Sequence, residues 1–135
     1  MKKSLTYLAV GLIAAIGSPH AFAIKEYSET WVKVYVDTSD KEDFKKLAGE
    51  AKCNVCHIDG ENKKVHNPYG EALEDAGLLK KTFPAKRFKE EPDKVRKEVE
   101  EIFKKIEDSK AEGQDKSFGE RIKAGMLPGG DVKGK

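Results

Sequence analysis

Apolar positions between residues 92 and 110 recur with the period of a helix. Val95, Val99, Ile102, Phe103 and Ile106 fall three or four apart, with charged residues filling the gaps. Such a stripe buries one face of an amphipathic helix. Pro92 and Asp93 open it, where a proline loses no hydrogen bond and an acid meets the positive end of the helix dipole. A second stripe, Phe44, Leu47, Ala48 and Ala51, predicts a helix capped by Ser39 or Asp40 and running to about Cys56. Pro68 suits the first position of a third helix, carrying Tyr69, Leu73 and Ala76 and stopping near Gly77. Ser117 caps a short helix to about Ala124 that carries Phe118 and Ile122, and residues 125–130 form a Gly/Pro turn.

Residues 24–36 point two ways. Trp31, Val32, Val34, Tyr35 and Val36 are strand formers, yet Tyr27, Trp31, Val34 and Tyr35 lie on one helical face; helix is the weakly favoured reading. Residues 58–67 read as a polar loop, 78–91 as a basic connector and 111–116 as a linker. No other stretch alternates with period two, so the expected class is all-α, with about five helices and long loops.

The first 23 residues differ from the rest. Lys2 and Lys3 form a basic start, Leu5 to Gly17 is apolar, and Ala21-Phe22-Ala23 is an A-x-A cleavage site. The apolar run is shorter than the roughly 20 residues that span a bilayer as a helix. The expectation is a signal peptide over 1–23, a functional domain over 24–130 and a flexible tail over 131–135. The product would be exported to the periplasm without stable membrane insertion. The two leader lysines account for the whole net charge of +2. A mature chain of balanced charge argues against a nucleic-acid partner. Charged residues make up 37% of the 135 and apolar residues 38%, so core material is thin and a large apolar ligand would add to it.

The chemistry concentrates in Cys53-Asn54-Val55-Cys56-His57, a C-x-x-C-H pattern. Two thiols one turn apart can each bond a vinyl group of one porphyrin, and the adjacent imidazole then lies under the iron. An exported chain with two cysteines suits this, because an oxidising compartment demands that thiols be consumed or paired. A thioredoxin-like dithiol would sit at a helix N-terminus in a βαβ unit, and none is visible. A zinc site would have to use Cys53, Cys56, His57 and His66, with an awkward bite from the adjacent Cys56 and His57.

These residues resemble the monohaem c-type cytochromes. The resemblance is carried by Cys53 to His57 after an amphipathic helix, a Lys-rich loop, and Asn67-Pro68-Tyr69-Gly70. It extends to small exported cytochromes of planctomycete-type bacteria through Phe118-Gly119-Glu120-Arg121-Ile122-Lys123-Ala124-Gly125-Met126-Leu127-Pro128. It implies a small cytochrome c-like bundle around one covalent haem c, with thioethers at Cys53 and Cys56 and His57 as the proximal iron ligand. It also implies that the Pro68 carbonyl accepts a hydrogen bond from His57 Nδ1. Tyr69, with Tyr27, Trp31, Tyr35, Phe44, Phe103 and Phe118, is a candidate to wall the haem.

The sixth ligand stays open between Met126, His66, another group such as Lys123, and a vacant position. A methionine would raise the potential, as suits an electron carrier. The expected function is transfer of single electrons to unidentified redox proteins, by a monomer and not an enzyme. Lysines 63–64, 80–81 and 86–89 are a candidate docking face. The alternative is a five-coordinate haem protein that senses a small gas or acts on peroxide.

Overall fold

The computed structural model describes residues 20–135, with side chains from Lys25 onward. The leader assigned to 1–23 lies outside the described residues, apart from backbone at its end. Among the described residues the chain is all-α, without a strand. Six α-helices form where about five were expected: α1 (His20–Trp31), α2 (Glu42–Ala51), α3 (Pro68–Asp75), α4 (Ala85–Glu90), α5 (Pro92–Lys105) and α6 (Phe118–Lys123).

The ambiguous stretch is helical. α1 runs into a π-helical turn, Val32–Val36, closed by the Asp37 amide donating to Val32 O at 2.9 Å. Helix wins over strand propensity because the aromatic stripe has partners on one side. The Tyr27 hydroxyl donates to Phe83 O at 3.0 Å, and the Tyr35 hydroxyl to Glu107 Oε1 at 2.8 Å. Trp31 is buried, with its ring centroid 6.1 Å from that of Phe44. Burial of this kind overrides a propensity difference of roughly 1 kcal/mol.

α2 is shorter than expected. It ends at Ala51, and Lys52 turns the chain at φ 50° and ψ −115° into a 3-10 turn, Lys52–Val55. Neither Ser39 nor Asp40 caps it. Lys41 is the N-cap residue, and Ser39 Oγ accepts from the Lys41 amide instead.

α4 lies within what reads as a connector. Its six residues turn Phe88 inward, with its ring centroid 5.9 Å from that of Tyr27, and Arg87 clasps Glu98 of α5 with bonds of 2.9 and 3.0 Å. α5 carries the expected stripe, with Val95, Val99 and Phe103 buried, and Ile106 is buried just past its end. α6 starts in a complete capping box: Glu120 N donates to Ser117 Oγ, and Ser117 N to Glu120 Oε2. α3 and α6 both end in a Schellman turn that needs glycine, Gly77 at φ 107° and Gly125 at φ 80°. α1 packs on α4 and α5, and one apolar cluster runs through all six helices.

Candidate functional site

The C-x-x-C-H segment occupies the 3-10 turn after α2 and the residues just beyond. His57 N donates to Cys53 O at 3.0 Å, which completes the turn. The chain then loops out over 58–65 and returns, so that His57 and His66 form an isolated antiparallel bridge and Asn67 N donates to Cys56 O at 2.9 Å.

This turn lines a cavity of about 770 Å³. That is within the roughly 300–1,000 Å³ of sites for cofactors and small molecules. Trp31, Val32, Leu73, Leu78, Leu79 and Phe103 make much of its wall, and Cys53, Cys56 and His57 all line it. Cys53 is exposed and Cys56 half-buried, and both are free thiols. Burial pushes the Cys56 thiol up to about 12, so it is a neutral S–H at physiological pH.

His57 is 8% exposed. Burial, followed by the neighbouring His66, holds its pKa below the usual imidazole value, so the ring is neutral. Its Nδ1 lies 3.4 Å from Val65 O, a long hydrogen bond in which Nδ1–H donates. That tautomer leaves the Nε2 lone pair available to a metal. The carbonyl beside the imidazole is therefore Val65's and not the one expected from Pro68. Pro68 is the first residue of α3, so its own carbonyl is committed to the helix ladder.

Tyr69 is 1% exposed and does not line the cavity; its hydroxyl accepts from Trp31 Nε1 at 3.0 Å and so fixes a wall residue from behind. Its ring meets that of Phe118 edge-on at 5.2 Å. His66 does line the cavity. Its ring lies 4.8 Å from that of His57, and its Nδ1 is 3.0 Å from Glu74 Oε2. Met126 is 38% exposed in the turn after α6 and is not a lining residue; Lys123 is likewise exposed and apart. Lys52, Lys63, Lys64 and Lys80 also line the cavity.

Two contributors are not evident in the motif. Asn67 is wholly buried beneath it, a position hinted at only by an Asn-Pro pair at a helix start. Residues 131–135 press against it from outside: Asn54 Nδ2 donates to Val132 O at 3.1 Å and Asp59 N to Lys133 O at 2.8 Å. Among the described residues no group of three or more His, Cys, Asp or Glu side chains is arranged to hold a metal ion. No protein-family model, curated protein or solved structure matches the chain.

Proposed function

We propose that this chain is a monohaem c-type cytochrome that transfers single electrons after export to the periplasm. The observation that carries this reading is the placement of Cys53, Cys56 and a neutral His57 together in the lining of one large, mostly apolar cavity. The donor set fits the group. Two thiols suit two thioether bonds, one imidazole suits an iron ligand, and His57 Nε2 has no hydrogen-bond partner among the described residues. Bound there, haem supplies reversible one-electron chemistry at its iron.

The protein's part is positioning and insulation. Val65 O keeps the His57 proton on Nδ1. Trp31, Leu73, Leu78 and Phe103 present hydrocarbon and exclude water, which lowers the local dielectric and thereby tunes the potential. Lys63, Lys64 and Lys80 place positive charge at the cavity, where it steers an acidic redox partner and raises the association rate more than the affinity. Lys86 contributes less to such a face, since it pairs with Glu90 at 3.5 Å.

Production in a host with cytochrome-assembly machinery, followed by denaturing electrophoresis and a haem stain, tests the reading. A stained band at the chain's mass is expected, because only thioether-linked haem survives denaturation; an unstained band refutes it.

One observation favours a second reading, a five-coordinate haem protein that binds a small gas or peroxide. The one methionine of the mature chain does not line the cavity. Carbon monoxide added to the reduced protein separates the two, since fast, tight binding marks an open position and its absence marks a six-coordinate carrier.

A further inference from the structure

The break at Lys52 and the loop after His57 leave the backbone of the haem-attachment turn with helix-end carbonyls and no following helical turn to supply amides. One residue from another segment satisfies three in a row. Asn67 is 0% exposed; its Nδ2 donates to Asn54 O at 3.1 Å and to Val55 O at 3.0 Å, and its backbone amide donates to Cys56 O. Its Oδ1 accepts from Gly70 N at 3.0 Å, so the same side chain caps α3. Both amide hydrogens and the amide oxygen are thus used, and no other side chain of this length offers two donors and one acceptor.

Three glycines from separate places let the segments close on one another. A methyl group on Gly70 would strike Cys56 O, one on Gly129 would strike the Asn67 side chain, and one on Gly134 would strike His57 O. The outer side of the turn is therefore held by an asparagine and by close-packed backbone, while Cys53, Cys56 and His57 line the cavity.

We propose that Asn67 is a positioning residue for haem attachment, fixing the Asn54–His57 backbone so that both thiols and the imidazole address one porphyrin, with Gly134 bracing the His57 end. This rests on the cytochrome reading for its purpose but not for its geometry, and hydrogen exchange on the haem-free chain tests the geometry alone. In Asn67→Asp, which keeps the Oδ1 acceptor but removes both donors, the Cys56 and His57 amides should exchange about tenfold faster or more, while those of Val99 and Phe103 in α5 keep their wild-type rates. Gly134→Ala perturbs the turn from the tail, away from the core, and should also speed exchange at His57.

In the haem-loaded protein, peptide mapping should then show Asn67→Asp with a single thioether in a large share of molecules that carry two in the wild type. A Ser117→Ala control, weakened at a distant helix cap, should keep both. Unchanged exchange at Cys56 and His57 in both variants, or an equal rise throughout α5, overturns the proposal. Two intact thioethers in Asn67→Asp overturn the attachment role. The expected exchange pattern in a wild-type chain that takes no haem instead refutes the cytochrome reading and leaves the geometric role standing.

Discussion

Tyr69 and Trp31 illustrate how a residue can shape a site without touching its contents. The hydroxyl of Tyr69 is the acceptor for the buried Trp31 Nε1–H, and Trp31 in turn faces the cavity. Tyr69→Phe leaves that donor without a partner and should cost about 1–3 kcal/mol, read as a lowered urea midpoint with unchanged slope. Met126 gives the opposite expectation. It is 38% exposed and does not line the cavity, so Met126→Ala should change stability by no more than about 0.5 kcal/mol. The loaded variant should keep the wild-type ferric spectrum; loss of a far-red sulfur-to-iron band on mutation would instead restore Met126 as the axial ligand. At Asp131, backbone amides of Lys135 and Lys133 bond the carboxylate and hold its pKa below the usual 3.8. The ionised form is the one favoured by the fold. Its contribution is complete above 3.8 and is lost as pH falls through the lower folded value. Acidification through that lower value should therefore loosen the tail turn, seen as lost protection at the Lys133 and Lys135 amides relative to their intrinsic exchange rates at the same pH, and Asp131→Asn should do the same at neutral pH.

Elements differed in how far local sequence determined them. α5 was legible because a long stripe of buried positions repeats without interruption, and α6 because Ser117 is a cap residue at its start. Ser117→Ala should cost about 0.5–2 kcal/mol, measurable as a drop in melting temperature. α4 was hidden because six residues rich in lysine and bounded by Pro84 and Pro92 carry no periodic signal. Its helix is secured by distant partners, Tyr27 against Phe88 and Glu98 on Arg87. The early end of α2 was hidden for a related reason. A lysine at positive φ is not a local preference, and the bonds that stabilise the following turn come from Asn67 and from the tail. The Cys-x-x-Cys-His pattern was plain in five consecutive residues, whereas the carbonyl that bonds His57 was not. Pro68 begins α3, and the return of the loop brings Val65 beside the ring.

Among the described residues the six helices enclose one apolar cluster, and its Trp31, Leu73 and Phe103 also line the large cavity. A porphyrin seated in a cavity of that size would give its wall residues dispersion contacts. A ligand that binds only the folded state adds stability by mass action, and a covalent one is never released. The haem-loaded protein should therefore unfold at a clearly higher urea concentration than the haem-free chain, followed by far-ultraviolet circular dichroism. Equal midpoints would mean that the cavity does not receive the porphyrin. The thin core expected from a chain with 37% charged residues is consistent with such a dependence.

The most direct test of the central claim is the intact mass of the protein matured in a host that assembles c-type cytochromes, with the modification mapped by peptide fragmentation. One haem added to the chain, carried on the peptide containing Cys53 and Cys56 through two thioethers, is the predicted result. A colourless protein at the unmodified mass, with both cysteines recovered as thiols or as a disulfide, would contradict it.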